Sequence, residues 1–326
     1  MGVSRMTVSR ALRNVPTVDP ILSRKIHAIA RRIGYERDPK LTEFMGYLRS
    51  RRQSRVRETI AFVLCQRSAN EPRRSATVDR FLAGISTRVA EHGYSLERFV
   101  VAPDVMSPHR LAQILRARGI EASIICNVWA AGEDIGVLLR ETVACMGGTA
   151  RPELRAHRAA SNHYHTIQLA LRSLRERGYR RVGLYLDLET DRNLQHCWRA
   201  GLADHLYEAG IDLAALLNVV PGWDEGGFRR WVRQARPEAV LTLHPAAVEW
   251  ARGGRMQPGV ALLDLNLEQK GAAAGVDQNG EEIGRAAVDL VAARLLAHDS
   301  GLPDHPHLVT VEGTWVDGAS LPVMRA

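Results

Sequence analysis

Apolar and polar positions follow two different patterns along the chain, and the change falls near residue 58. Before it, apolar residues recur every three or four positions in short stretches, which predicts helices. After it, short apolar runs typical of strands are separated by stretches with the helical period. This alternation predicts parallel sheets with right-handed crossover connections. Because about 270 residues are more than one doubly wound sheet needs, we expect two lobes.

The predicted strands of the second part cover residues 59–65, 96–101, 122–127, 182–186, 239–243 and 259–265. Five helices are predicted between them, each from an apolar face at helical spacing. The five faces are Phe81, Leu82, Ile85 and Val89; Leu111, Ile114 and Leu115; Ile167, Ala170, Leu171 and Leu174; Phe228, Trp231 and Val232; and Ile283, Ala287, Leu290, Val291 and Leu295. The fold class is therefore α/β, with a small all-α segment in front.

Residues 1–36 read as a head of short helices. Ser4 is a suitable N-cap for the first helix, and Ala11 belongs to its apolar face. A second apolar face spans residues 22–33 and ends at Gly34, as a C-cap glycine would end it. Residues 37–58 form a linker with an amphipathic stretch followed by a basic run.

The positive charge is concentrated at the start of the chain. The first 57 residues contain 14 Lys and Arg but only four acidic residues, a net charge of about +10. Because the whole chain is +8, the remainder sums to about −2. A cationic segment on a nearly neutral body is typical of a DNA-binding module joined to another domain. A disordered basic tail is the alternative, which the helical patterns disfavour.

The composition is that of an ordinary soluble globular protein, with 45% hydrophobic and 25% charged residues. No apolar run reaches the roughly 18 residues of a membrane span, and the N-terminus lacks an apolar signal segment. We therefore expect a cytoplasmic protein without a membrane partner. The four cysteines are far apart and have no CxxC spacing, so free thiols are expected and disulfides or a zinc site are not.

The sequence contains few motifs that are typical of enzymes. The sequence has no HExxH, no GxSxG, no P-loop and no strand-linked GxGxxG, so neither an enzyme nor a cofactor is predicted. The His163/His165 and His305/His307 pairs have weak metal-binding spacing, and solvated surface histidines are the preferred interpretation.

The string GVSRMTVSRAL over residues 2–12 resembles the turn and recognition helix of the LacI/GalR family of transcription regulators. The resemblance implies a helix-turn-helix that reads a double-stranded DNA operator, with Gly2 in the turn. The DNA-contacting residues it implies are Ser4, Arg5, Met6, Thr7, Ser9 and Arg10. An ordinary surface helix with a chance motif is the alternative.

Two departures from the family pattern concern the head. The family's first helix is missing, and we expect the true start to lie upstream; the alternative is that this form binds DNA weakly. The linker looks longer than in typical members, and the family inserts an apolar hinge side chain into the minor groove. The candidates for that insertion are Leu41, Phe44, Met45 and Leu48, which could equally pack against a partner hinge or the body.

Residues 59–326 resemble the family's regulatory domain, which is similar to periplasmic sugar-binding proteins. Residues 275–287 match the stretch that crosses between lobes, and residues 312–321 match the closing strand and tail. The implied N-lobe covers about 59–160 and 280–303, and the implied C-lobe covers about 161–279 and 304–326.

The resemblance also implies an effector site at the carboxyl ends of the strands. The best matches to effector contacts are Asn127, Asn266 and Gln278, with Asp264 and Trp223 as looser candidates. Trp198, next to Arg199, aligns with a family arginine, and His244-Pro245 replaces a common Asn-Asp pair. The alternatives are a turn cap for Asn127, a core or interface aromatic for Trp223, helix caps for Asp264 and Asn266, and an amide that satisfies the backbone for Gln278. The departures leave the ligand class open, with a sugar as one candidate.

These features predict a homodimeric repressor that is switched by a small-molecule effector. The competing hypothesis is a small-molecule-binding protein with a vestigial head, and a sugar-modifying enzyme on the same scaffold is a weaker third.

Overall fold

The structure, a computed structural model, describes residues 3, 5–12, 19–32, 58–68, 70, 76–130, 133–297, 299 and 301–322. The chain forms two units, a head over Met1–Val56 and a body over Arg57–Ala326. The predicted caps Ser4 and Gly34 and the four hinge candidates Leu41, Phe44, Met45 and Leu48 lie outside the described residues.

The head contains two helices, α1 (Arg5–Leu12) and α2 (Pro20–Arg32), which pack on each other. Asp19 caps α2, because its Oδ1 accepts the backbone N–H groups of Ile21 and Leu22 at 3.0 and 2.9 Å. Ala11 and Ile26, one from each predicted apolar face, are buried. Both predicted head helices are thus present.

The body consists of twelve strands and nine α-helices in its described residues. The strands are β1 (Thr59–Cys65), β2 (Ser95–Val101), β3 (Ala122–Cys126), β4 (Val143–Gly147), β5 (His157–Ser161), β6 (Val182–Asp187), β7 (Leu217–Val220), β8 (Ala239–Thr242), β9 (Gly259–Leu262), β10 (Ala274–Asp277), β11 (Leu308–Val311) and β12 (Thr314–Val316). The helices are α3 (Ala76–His92), α4 (Pro108–Ala117), α5 (Gly136–Glu141), α6 (His163–Glu176), α7 (Leu188–Asn193), α8 (Cys197–Glu208), α9 (Glu225–Ala235), α10 (Ala247–Arg252) and α11 (Gly280–Ala297).

The strands form two six-stranded sheets, one in each lobe. The first has the order β11-β5-β4-β3-β1-β2, and all of its pairs are parallel. The second has the order β12-β10-β9-β8-β6-β7 and is parallel except for the edge pair β10–β12. The predicted α/β class with two doubly wound sheets is confirmed, with one antiparallel edge strand that the sequence did not indicate.

The chain passes between the sheets three times, at residues 161–163, 277–280 and 311–314. Hydrogen bonds join these passages: Asn279 Nδ2 donates to the carbonyl of Glu312 at 2.8 Å, and the N–H of Asn162 donates to that of Val311 at 2.8 Å. Sheet membership differs from the predicted lobe boundaries for β11, which lies in the first sheet, whereas residues 304–326 were assigned to the C-lobe.

Both lobes have apolar cores beside their sheets, and all four cysteines are free thiols, as predicted. Helix α11 returns from the second sheet and packs on α3 of the first lobe. Gly84 and Gly284 allow this approach, because a Cβ on either would collide with the backbone of the other helix. Within the described segments, no helix combines the length and the apolar character that crossing a bilayer requires.

Candidate ligand-binding site

A cavity of about 630 Å³ lies between the two lobes, at the carboxyl ends of strands from both sheets. The first lobe contributes residues at the ends of β1, β3 and β4 and from the start of α3. The second contributes residues after β6, β8, β9 and β10, with side chains from α6, α7 and α8. The volume is in the range of cavities that hold small organic molecules.

Five of the eight residues predicted to contact an effector line this cavity, and three do not. The lining residues are Asn127, Trp198, Trp223, Asp264 and Gln278. The residues outside the lining, all in the described part of the chain, are Arg199, His244 and Asn266.

The ring of Trp223 lines the cavity and packs against two other aromatic rings. Its ring centroid lies 5.7 Å from that of Tyr185 and 4.8 Å from that of His244. His244 in turn stacks on Trp250 at 4.7 Å, and burial lowers the pKa of its imidazole. His244 therefore supports the cavity wall, and Trp223 is fixed in a position where its ring can stack on the apolar face of a ligand.

Trp198 and His163 bring two unpartnered polar atoms to the cavity wall. Trp198 is only 2% exposed, and its ring meets that of His163 edge to face at 5.8 Å. Among the described residues, neither Trp198 Nε1 nor His163 Nδ1 has a hydrogen-bond partner. A buried polar atom without a partner typically costs about 1–3 kcal/mol, so a ligand that supplies one would gain affinity.

His163 corrects an expectation from the sequence, which favoured a solvated surface residue. It is the first residue of α6, whose N-cap is Asn162, and it is half-buried against the cavity. The periodicity of the sequence could not predict this position, because a polar residue beside an N-cap has the same sequence pattern whether its side chain faces a cavity or solvent. The other histidines of the two pairs, His165, His305 and His307, are not part of the cavity lining in the described structure.

Asp264 joins the two lobes across the cavity. Its Oδ2 accepts a hydrogen bond of 2.7 Å from the hydroxyl of Thr77 on α3, and burial raises the pKa of its carboxyl group. Gln278, at the second passage between the sheets, donates its Nε2 to the carbonyl of Leu263 at 2.7 Å. The amide nitrogen of Gln278 thus donates to the backbone, as the alternative interpretation of this residue predicts.

Asn127, directly after β3, has a left-handed backbone with φ of 56°.

Asp187 is a lining residue that the sequence analysis missed. It is the last residue of β6 and is 9% exposed, and its Oδ1 caps α7 by accepting the N–H of Thr190 at 2.9 Å. The resemblance to the family gave no signal for Asp187. A polar residue directly after a predicted strand is a signal that could have found it, because the predicted strand ends at Leu186.

Arg199 and Asn266, which are not in the cavity lining, make contacts with residues near them in the sequence. Arg199 Nη1 lies 3.5 Å from Oδ2 of the buried Asp191, which also pairs with His196 Nδ1 at 2.8 Å. The N–H of Asn266 donates to the side-chain oxygen of Gln269 at 3.0 Å, at the start of a short 3-10 helix.

Arg80 binds both ends of the second passage between the lobes. Its Nη1 lies 2.6 Å from Oδ1 of Asp277, the last residue of β10, and its Nη2 lies 2.5 Å from Oε2 of Glu281 in α11. Lys270 Nζ reaches the other oxygen of Asp277 at 3.0 Å. Burial raises the pKa of Asp277, but the hydrogen bonds from Arg80, the N–H of Asn279 and Lys270 outweigh it and hold that pKa below its usual value.

Acidification is expected to destabilise the body through His163. Burial lowers the pKa of its imidazole from 6.5 to about 4, so in this range the unfolded chain is protonated while the folded protein is not. Stability is therefore lost as the pH falls from about 6.5 through about 4. Below about pH 4, the free energy of unfolding is expected to be lower by about 3 kcal/mol, since one pKa unit corresponds to about 1.36 kcal/mol. Urea unfolding measured across this pH range tests the expectation.

His163→Gln removes the titrating group and is expected to flatten this part of the stability profile. His305→Gln removes an exposed imidazole and serves as the matched control, which should retain the wild-type slope. An undiminished acid-side loss in His163→Gln would contradict the assignment.

Comparisons with known proteins agree with this architecture. Residues 1–38 match the family model described as bacterial regulatory proteins, lacI family. No curated protein matches the sequence closely enough to count as a relative. The transcriptional regulator CelR in complex with cellobiose is 18% identical, with a TM-score of 0.62 over 97% of this chain and 95% of that one.

Two other solved structures are similar over most of their length. The LacI-family regulator CCPA from Weissella paramesenteroides with bound glucose is 14% identical, with a TM-score of 0.63 over 82% of this chain and 99% of that one. The lac repressor dimer bound to operator and the anti-inducer ONPF is 14% identical, with a TM-score of 0.58 over 97% of this chain and 94% of that one.

The fold is of the two-lobed, periplasmic-binding-protein-like class, preceded by a helical head. The match of residues 1–38 to the lacI family model confirms the resemblance predicted for the head, and the similar solved structures show the fold of the body.

Five of the six predicted DNA-contacting residues, Arg5, Met6, Thr7, Ser9 and Arg10, lie on α1, and Ser4 lies outside the described residues. Their roles at DNA remain predictions.

Proposed function

We propose that this protein is a cytoplasmic transcription repressor that binds a palindromic operator as a homodimer and is switched by a small-molecule effector. The observation that carries the proposal is the match of residues 1–38 to the lacI family of bacterial regulatory proteins, in front of a body with a cavity between two lobes. The proposed effector is a sugar, since similar structures hold cellobiose or glucose.

The proposed mechanism is a population shift between two arrangements of the lobes. The three passages between the sheets are connected by hydrogen bonds, and the Thr77–Asp264 and Arg80–Asp277 contacts also link the two lobes. An effector that binds one arrangement more tightly shifts the equilibrium toward it. In a dimer, that shift alters the spacing of two heads and so their fit to successive major grooves.

A DNA-binding experiment on the full chain tests the proposal. Arg10→Ala is expected to weaken binding to a palindromic duplex from the protein's own promoter region by about 10- to 100-fold, since a base contact contributes about 1–3 kcal/mol. Arg118→Ala removes the same charge from an exposed position of the body and is the matched control. Fluorescence anisotropy at several salt concentrations measures both affinity and specificity.

The vestigial-head alternative makes the opposite prediction. It expects weak binding with a steep salt dependence and no difference between the promoter duplex and an unrelated duplex. Equal effects of Arg10→Ala and Arg118→Ala would support that alternative and reject specific recognition by α1.

A further inference from the structure

The charged groups that line the cavity are all of one sign. Asp187, Glu189 and Asp264 contribute carboxylates, and no Lys or Arg occurs among the lining residues that the structure describes. Glu189 is neutralised by an ion pair with Arg67. Within the described segments, no basic side chain lies within ion-pair distance of Asp187 or Asp264, so neither carboxyl group has an ion-pair partner there.

The hydrogen bonds of these two carboxylates do not neutralise them. Asp187 accepts the N–H of Thr190 as a helix cap, and Asp264 accepts the hydroxyl of Thr77. Arg80 is near Asp264 but is already bound to two other carboxylates, those of Asp277 and Glu281. Ionised groups in a partly desolvated cavity are stabilised by a cation brought by the ligand.

The aromatic side chains of the cavity suit an organic cation. Trp198, Trp223 and Phe81 line it, and a positive group above an aromatic face is attracted by the ring quadrupole. Trp198 is 2% exposed, and its unpartnered Nε1 can donate to a ligand hydroxyl. In the described part of the chain no group of three or more acidic, histidine or cysteine side chains could hold a metal ion, so the expected cation is not a metal.

We propose that the effector is a polyhydroxy compound that carries an amine, such as an amino sugar, and that the cavity excludes anions such as phosphorylated sugars. This inference rests on the proposed function, because it specifies the ligand of the same site. The ammonium group lies near Asp187 and Asp264, while the hydroxyls are bound by amide side chains such as Asn127 and by Trp198 Nε1. Phosphorylated sugars are repelled by these carboxyl groups, since no Lys or Arg in the described lining compensates the charge of a phosphate.

A matched ligand series tests the charge preference with the full chain. Isothermal titration compares glucose, galactose and mannose with their 2-amino and 6-phosphate derivatives. At least one amino sugar is expected to bind about tenfold more tightly than its neutral parent, a difference of about 1.4 kcal/mol, and its affinity is expected to fall as salt rises. The phosphates are expected not to bind. Equal affinity of amine and parent, tighter binding of a phosphate, or no binding by any member overturns the inference.

Two variants that remove a charge test which carboxyl groups cause the amine preference. Asp187→Asn and Asp264→Asn keep a hydrogen-bond acceptor but lose the charge, so each is expected to reduce the ratio of amine affinity to parent affinity severalfold. Asp212→Asn is the matched control, because Asp212 is an exposed cap of a 3-10 helix outside the cavity.

The two proposals fail in different ways. Loss of the amine preference with intact, effector-sensitive operator binding removes the charge inference and leaves the proposed regulator. Loss of specific operator binding, measured by anisotropy on the same samples, removes the proposed function whatever the ligand series shows.

Discussion

Gly84→Ala is expected to destabilise the body by about 3 kcal/mol, because an added methyl group would collide with the backbone of α11. A Cβ at this position would meet the carbonyl oxygen of Glu281, and it would lie 2.7 Å from the carbonyl carbon and 2.8 Å from Cα of the same residue. Backbone atoms cannot rotate away, so α3 and α11 must separate. Urea unfolding of the full chain measures the loss.

The control for this prediction is an alanine at a glycine with free space. Gly136 lies at the start of α5, and the nearest atom to its added Cβ is the flexible Arg140 Nη1 at 3.4 Å. Gly136→Ala is expected to be neutral or to stabilise by about 0.4–1 kcal/mol, since alanine restricts the unfolded chain more than glycine does. Equal effects of the two substitutions would show that helix propensity, and not the close approach of two helices, determines the result.

The alternation of strands and helices could be predicted wherever a strand was apolar. Strand β1 was predicted with the bounds that the structure has, because Thr59–Cys65 is an uninterrupted apolar run. Strand β5 was missed, because it contains His157 and Arg158 although every residue in it is buried. The guanidinium of Arg158 is satisfied by the carbonyls of Ala150, Arg151 and Leu154. Sequence periodicity cannot show that tertiary contacts satisfy a buried charge in this way.

The candidate site could be predicted in part. The resemblance to the family selected Asn127 and Asp264, and both line the cavity, where the carboxyl ends of parallel strands meet. The resemblance could not show which polar side chains turn toward another part of the lobe, as that of Arg199 does toward Asp191. Contacts between lobes, such as that of Thr77 with Asp264, depend on how the two sheets meet, and no local pattern encodes them.

The contacts of Arg80 are the clearest example of such long-range pairing, and Arg80→Gln is expected to cost about 2–3 kcal/mol of stability. The side chains of Arg80 and Asp277 are 13% and 7% exposed, so removal of the guanidinium leaves a buried carboxylate with less compensation. The cost is below that of a fully buried pair, because Lys270 still reaches Asp277 and because Glu281 is 38% exposed. Arg118→Gln breaks an exposed pair with Glu97 and should cost at most about 1 kcal/mol.

The pH dependence of the stability loss in Arg80→Gln tests whether Arg80 stabilises the protein through its charge. Hydrogen bonds from Arg80 hold the pKa of Glu281 below its usual value of 4.5, and Arg80 contributes to holding that of Asp277 below 3.8. A lowered carboxyl pKa stabilises the fold above the unfolded-state pKa, and this stabilisation is lost as the pH falls through the folded-state pKa. The stability difference between wild type and Arg80→Gln should therefore narrow below about pH 4.5. A difference that stays constant to acid pH would mean that Arg80 acts through packing of its aliphatic stem and not through charge.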